Sequence, residues 1–235
     1  MSLPVAILVG GLAMRLRPLT LEIPKALISI NGLPFLAYQL ELLKDKGIRD
    51  VVICAFYRGE QIEDFAGDGR RFGLNIRYSY DGPQPLGTGG AVRKALHLLG
   101  DAFFVLYGDS YLPIDYAAVE EAFNASGKDA LMTVYRNRDQ GDRSNVQFER
   151  GRILAYNKVN RTKEMQFIDY GLGAFRRIAF EAFPENTILD LAKVYQILLI
   201  ADRLAAYEVQ QRFYEVGSFE GIHELEAYLK QEKGD

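Results

Sequence analysis

The chain has 235 residues, 49% of them apolar, with 28 basic and 31 acidic side chains and a net charge of −3. At roughly 100–200 residues per domain, that is one large or two small domains with enough apolar surface for a sizeable core. The near-balance of charge excludes an electrostatic case for nucleic-acid or anionic-membrane binding, so a phosphate ligand must be held by a few local cations and backbone N–H groups. The single cysteine, Cys54, has no internal disulfide partner, which suits a reducing compartment. The first residues lead straight into a strand without a charged segment, apolar segment and cleavage site. No apolar run approaches the roughly 20 residues that span a bilayer. A soluble, cytoplasmic protein is expected.

The first half alternates strands and helices. Val5 to Val9 is a continuous apolar run, as expected of a strand buried on both faces. Ala26 to Ile30 reads as a second extended segment, closed by an Asn31-Gly32 turn. Pro34 suits the first position of a helix whose stripe is Leu36, Leu40 and Leu43, with Gly47 as its C-cap and Ile48 just beyond. Val51 to Phe56 is a buried strand, Gln61 to Phe65 a short helix and Asn75 to Tyr80 a strand. A helix from Thr88 to Gly100 precedes another apolar strand, Phe103 to Tyr107. This rhythm implies parallel βαβ units, whose ligands bind beyond the carboxyl ends of the strands.

The second half is richer in strands, at Ala130 to Arg136, Asn145 to Glu149, Ile153 to Lys158 and Gln166 to Phe175, a mixed or antiparallel extension. Helices return at Ile178 to Phe183 and Leu189 to Leu204. Late strands at Ala206 to Gln210 and Arg212 to Val216 precede a helix from Phe219 to Glu232. The polar run Arg136 to Arg143 reads as an exposed loop.

Chemistry concentrates after strands. Gly10-Gly11 lies where the first strand ends, and glycines there let backbone N–H groups approach a phosphate. A glycine pair alone equally describes an ordinary turn. Arg15 and Lys25 weigh against that, Arg as a bidentate donor and Lys as a point charge. The loop lacks Gly-x-Gly-x-x-Gly, which disfavours a dinucleotide site, and lacks Gly-Lys-Ser/Thr, which excludes a Walker loop. Gly108-Asp109-Ser110 ends a buried strand; Asp109 fits a turn cap or, opposite a triphosphate, a ligand to a hard cation. His97 and His223 fall in helices and read as surface residues. Cys54 and the stripe Leu191, Tyr195, Leu198 read as core.

The run from Gly10-Gly11 through Arg15-Leu16-Arg17-Pro18-Leu19-Thr20 to Pro24-Lys25 resembles the signature of sugar-1-phosphate nucleotidyltransferases. Pro85-Leu86-Gly87-Thr88-Gly89-Gly90-Ala91 resembles their nucleobase loop, and Gly108-Asp109 their metal-binding strand end. The resemblance is strongest to short bacterial members that activate mannose- or heptose-1-phosphates with GTP. Muramyl-sugar uridylyl and phosphocholine cytidylyl branches follow. It implies one nucleotidyltransferase domain over 1–235. Its fold would be a Rossmann-like α/β fold, with a mixed, mostly parallel sheet flanked by helices and a smaller sugar-binding β subdomain. The nucleotide core would cover about 1–128 and the sugar-binding extension about 129–235.

The implied reaction joins an NTP to a sugar-1-phosphate with Mg²⁺, releasing pyrophosphate and yielding a nucleotide sugar of the kind that feeds cell-surface polysaccharides. By the same resemblance, Arg15 and Lys25 hold the triphosphate, Gly10, Gly11, Gly87 and Thr88 contact the nucleotide, and Asp109 ligates Mg²⁺. Glu215, in Phe213-Tyr214-Glu215-Val216-Gly217, stands where the family has a second metal-binding Asp, and its bland reading is an edge-strand surface residue. Ser144, Asn157, Lys158, Asp169 and Gly171 fall at sugar-phosphate positions, or are strand residues facing solvent. Departures are Ala13-Met14 for Gly-Thr, Ala26 for Pro, Asn157 for Glu, Ser144 for Gly and Glu215 for Asp. Those at Ala13-Met14 and Glu215 motivate a further alternative, a non-catalytic nucleotide-sugar sensor. Oligomeric state, nucleobase and sugar stay open.

Overall fold

The structure, a computed structural model, describes residues 2–11, 14–137 and 143–232. The expectations placed on Ala13 and on the run 138–142 lie outside the described residues. In chain order, β1 (Val5–Leu8) is followed by a short hairpin, β2 (Ser29–Ile30) and β3 (Leu33–Pro34), and by α1 (Phe35–Asp45). Then come β4 (Asp50–Ala55), α2 (Gly59–Ala66), β5 (Asn75–Tyr80), α3 (Gly87–Ala95) and β6 (Ala102–Tyr107). Next are β7 (Ser110–Tyr111), α4 (Tyr116–Ser126), β8 (Ala130–Arg136), β9 (Val146–Glu149), β10 (Arg152–Tyr156) and β11 (Phe167–Arg176). They are followed by α5 (Ile178–Glu181), α6 (Leu191–Ile200), β12 (Leu204–Val209), β13 (Tyr214–Glu215) and α7 (Phe219–Glu232).

Among the described residues one mixed sheet of nine strands runs in the order β10-β9-β11-β6-β1-β4-β5, with β8 and then β12 branching from β11. The β6-β1-β4-β5 half is wholly parallel. β11 is antiparallel to β6, β8 and β9, while β12 is parallel to β8. Strand alternation sends Val5, Ile7 and Ile53 to one face and Ala6, Val52 and Cys54 to the other. The first face packs against α1, α2 and α4 through Leu40, Ile62 and Phe123. The second packs against α3, α5 and α6 through Val92, Phe180 and Tyr195. Both faces are covered, which is why these strands read as unbroken apolar runs.

A third cluster docks α7, through Ile222, Leu225 and Leu229, onto Leu16, Ile28, Ile30 and Phe35. Each such side chain contributes about 1.5–3 kcal/mol by leaving water. Asn31 adds two hydrogen bonds to Glu226, to Oε1 at 3.3 Å and to the carbonyl at 2.9 Å. The last helix therefore grips the segment that follows the opening glycine loop.

Several elements differ from the sequence reading. Helix α4 was not anticipated, although Asp115 caps it by accepting from Ala118 N at 3.1 Å and Gly127 ends it at φ +62°. The extended segment expected from Ala26 begins only at Ser29. Lys25–Leu27 is a 3-10 turn, closed by Leu27 N donating to Pro24 O at 2.9 Å. Pro34 is the N-cap of α1 rather than its first helical residue. Helix α3 stops at Ala95 and α6 at Ile200, because Leu204 already belongs to β12.

Candidate active site

The chain leaves β1 to pair on one side with β4 and returns on the other side with β6, so the switch in strand order lies between β1 and β6. Ligands of such sheets bind in the crevice at that point. Two loops meet there in tight register: Val9 N donates to Cys54 O at 2.9 Å, and Gly108 N donates to Leu8 O at 3.0 Å. A cavity of about 430 Å³ opens above, lined by Gly10, Gly11, Lys25, Asp109, Gly87 and Thr88 together with Cys54, Phe56, Asp81, Pro85 and Ala91. It reaches from the end of β6, which presents Asp109, to the end of β5, which presents Asp81. Those strands are three inter-strand spacings apart, roughly 14 Å, about the length of a nucleotide.

Lys25 Nζ and Asp109 Oδ2 form an ion pair at 2.7 Å within this cavity. The Asp109 turn is held from below by Gln39 of α1, whose buried amide donates to Ser110 O at 2.7 Å and Tyr107 O at 3.3 Å. Strand β13 pairs antiparallel with β7, setting Glu215 opposite Ser110, and Val216 N donates to Asp109 O at 2.9 Å. Asp109, just before β7, and Glu215, within β13, are thus brought from far apart in sequence to the lining of one cavity. A Cβ on Gly217 would lie 3.4 Å from Glu215 Oε1 and 3.5 Å from Arg15 Nη2, so Arg15 joins this group.

Gly87 is a conformational requirement. It takes φ +72°, and a Cβ there would sit 2.7 Å from Leu189 O. That carbonyl accepts from Gly89 N and Gly90 N at 2.8 and 3.0 Å. The hydroxyl of Thr88 accepts from Leu191 N at 2.8 Å. The Gly87-Thr88 loop is therefore tied to the start of α6, and it lines the first cavity from that anchor.

A second cavity of about 300 Å³ shares Tyr107 and Asp109 with the first and adds Arg15, Arg143, Lys158, Arg161, Asn145, Asp169, Gly171 and Glu215. Four of these residues are cations. Lys158 Nζ donates to the Tyr107 hydroxyl at 3.2 Å and stands 5.0 Å from the ring centroid. That hydroxyl donates to Asp169 Oδ2 at 3.2 Å, as does the Tyr156 hydroxyl, and Gly171 N donates to Asp169 Oδ1 at 3.2 Å. Burial, reinforced by the charge of Asp169, drives Tyr107 and Tyr156 above the usual phenol pKa, so both remain neutral donors.

The expected residues therefore divide. Gly10, Gly11, Lys25, Gly87, Thr88 and Asp109 line the first cavity; Arg15, Lys158, Asp169, Gly171 and Glu215 line the second. Arg15 lines the second cavity and not the first. Asp169 turns its oxygens to protein donors, as the hub of a tyrosine network. Asn157 uses its Oδ1 to accept from Val159 N and Asn160 N at 2.9 and 2.8 Å, fixing a local turn. Ser144 is buried beside the lining residues Arg143 and Asn145, and is not itself a lining residue.

Sequence reasoning missed Tyr107, Gln39, Asp81, Arg143 and Arg161. The usable signals were a polar tip on the last residue of an apolar strand and an uncharged amide within the buried stripe of α1. Burial raises the Asp81 carboxyl above its usual pKa, against the opposing effects of the Leu86 N–H and Lys94.

Asp109 and Glu215 both line the second cavity, and both offer hard carboxylate oxygens. That pair suits a divalent cation such as Mg²⁺, which takes one or two carboxylates and completes its shell with substrate phosphates and water. Among the described residues no group of three or more His, Cys, Asp or Glu gathers at one point, so the protein's share would be these two.

This sheet, with its crevice at the strand switch, defines an α/β nucleotide-binding fold. The family described as nucleotidyl transferase matches residues 5–153, and the chain belongs to that family. It is 38% identical over 114 residues to the D-glycero-alpha-D-manno-heptose 1-phosphate guanylyltransferase of Campylobacter jejuni, covering 48% of this chain and 51% of the relative. It is 42% identical over 116 residues to the N-acetylmuramate alpha-1-phosphate uridylyltransferase of Neisseria meningitidis, covering 48% and 49%. With the mannose-1-phosphate guanylyltransferase of Mycobacterium tuberculosis it shares 30% over 198 residues, covering 83% and 55%. The chain thus spans about half the length of the curated relatives it matches.

Among solved structures, HddC from Yersinia pseudotuberculosis complexed with GMP-PN has a TM-score of 0.78 at 21% identity, covering 97% of this chain and 99% of that one. UDP-glucose pyrophosphorylase from Acinetobacter baumanii has a TM-score of 0.74 at 20% identity, covering 97% and 93%. Both share the fold. No helix of the described residues is long and apolar enough to cross a membrane.

Proposed function

We propose that the chain transfers a nucleotidyl group from an NTP to a sugar-1-phosphate, with GTP and a mannose- or heptose-type acceptor as the leading pair. The observation that carries this reading is the meeting of two cavities at Asp109, one long enough for a nucleotide and one lined by four cations. An acceptor phosphate oxygen attacks the α-phosphorus, the bond to the β-phosphate oxygen breaks, and pyrophosphate leaves. The attacking oxygen is already deprotonated, so no general base is needed, and positioning with charge neutralisation supplies the catalysis.

Lys25 neutralises triphosphate oxygens at the strand switch, while Lys158, braced by Tyr107, holds the acceptor phosphate. Arg15, at the junction, balances charge between the two substrates. Mg²⁺ held by Asp109 and Glu215 would supply charge neutralisation to the phosphates when bound. The buried free thiol Cys54 suits the reducing cytoplasm, where we place the reaction.

A second reading, UTP with an acidic sugar phosphate, is favoured by Arg143 and Arg161, two cations that line the second cavity in addition to Lys158. The test is a panel of NTPs and sugar phosphates scored by pyrophosphate release, with Lys25→Ala and Asp109→Ala alongside. Each variant is expected to lose at least about 100-fold in turnover, the scale of one transition-state charge contact. Near wild-type turnover in either would remove these roles. Tight binding of a nucleotide sugar with no pyrophosphate release from any pair would make the chain a sensor.

A further inference from the structure

The far end of the nucleotide cavity has a feature that phosphate chemistry does not use. Asp81 follows β5, opposite the end that holds Lys25 and Asp109, among the apolar walls of Phe56 and Pro85. It is only 7% exposed. Oδ2 accepts from Leu86 N at 2.8 Å, and Lys94 Nζ donates to the Asp81 backbone carbonyl, not its carboxylate, at 2.9 Å. Among the described residues nothing donates to Oδ1. With no protein donor, that oxygen is left to bond whatever enters the cavity Asp81 lines, and on the nucleotidyl-transfer reading that is a nucleotide base.

The bases differ in what they offer such an oxygen. On its Watson–Crick edge guanine places two N–H groups side by side, at N1 and N2. Uracil has one N–H between two carbonyls. Adenine and cytosine each set an amino group beside an unprotonated ring nitrogen. A carboxylate has about four acceptor positions and no hydrogen to give, so it complements guanine and faces a lone pair on each of the others. We infer that Asp81 reads the nucleobase through its cavity-facing carboxylate and selects guanine. This rests on the nucleotidyl-transfer reading and deepens it, giving the base choice to one side chain at the end of β5.

The test is calorimetric titration of the whole chain with GTP, ITP or UTP in Mg²⁺ and no acceptor. ITP lacks only the 2-amino group. The wild type is expected to bind GTP about tenfold or more tightly than ITP, the scale of a hydrogen bond to a charged group, and still more tightly than UTP. Asp81→Asn keeps a carbonyl for Leu86 N but turns an NH₂ into the cavity. It is expected to abolish the GTP-over-ITP preference and to cut the GTP-to-UTP ratio about tenfold or more.

Equal binding of GTP and ITP by the wild type overturns the proposal without any variant. So does a wild-type preference for UTP, which leaves nucleotidyl transfer standing. A proportional loss of GTP and UTP in Asp81→Asn makes the residue a loop brace and also overturns it. Failure to bind any of the three overturns this inference, while pyrophosphate release from the wider NTP panel decides the nucleotidyl-transfer reading separately.

Discussion

Tyr107 lies where the two cavities touch, and Tyr107→Phe separates its bonding from its bulk. The change deletes one hydroxyl that accepts from Lys158 Nζ and donates to Asp169 Oδ2, both at 3.2 Å, while the ring stays in place. A hydrogen bond to a buried charged group contributes about 1.5–3 kcal/mol. For a chain of this length each kcal/mol moves the melting temperature by about 2–4 °C, so a loss of about 2 kcal/mol lowers it by about 4–8 °C. Tyr156→Phe is the matched control, because the Tyr156 hydroxyl donates to the same Asp169 oxygen at 3.2 Å. The two variants should melt at similar temperatures. Only Tyr107→Phe also releases Lys158, and about 1 kcal/mol of lost acceptor binding is about a fivefold rise in KM. With kcat unchanged, that is the signature of lost ground-state binding. The assay is pyrophosphate release at saturating nucleotide with the sugar-1-phosphate varied. Equal acceptor KM values in the two variants would refute the bracing of Lys158 by Tyr107.

Gly171 takes φ +103°, and a Cβ there would lie 3.2 Å from Ser110 Oγ and 3.3 Å from Tyr107 Cδ2. Gly171→Ala should therefore cost about 1–3 kcal/mol and lower the melting temperature; a melt within a degree of the wild type would show that the strand absorbs the methyl group. Burial pushes the Cys54 thiol pKa up to about 12. At pH 8 its thiolate fraction is then about one in ten thousand, against roughly a quarter for an unperturbed thiol. A disulfide reagent should label the native protein slowly, gain about tenfold in rate per pH unit, and react stoichiometrically in guanidinium. Rapid labelling of native protein at pH 8 would contradict this.

The parts of the molecule governed by local pattern were legible in the sequence. Buried apolar runs at Val5, Val51 and Phe103 announced strands of a sheet covered on both faces, and Gly10-Gly11, Lys25 and Gly108-Asp109 were placed beyond strand ends. What stayed hidden depends on distant partners. Asp169 was placed among sugar-phosphate positions by resemblance, and only the fold shows two tyrosine hydroxyls donating to it. Gln39 is an ordinary helix residue until α1 packs beneath the Asp109 turn. The parallel pairing of β12 with β8 is a register that neither strand encodes alone. Helix α4 is different: its Asp115 cap and Gly127 stop were both visible.

The small sheet of β7 and β13 has a consequence for truncation. The two-residue pairing and the Val216–Asp109 hydrogen bond bring the Glu215 strand to Asp109, and α7 packs on the segment bearing Leu16, next to Arg15. A chain cut before β13 would therefore keep its glycine loops and Lys25 but lose Glu215 and the helix packed on the segment that follows the opening loop, all in one step.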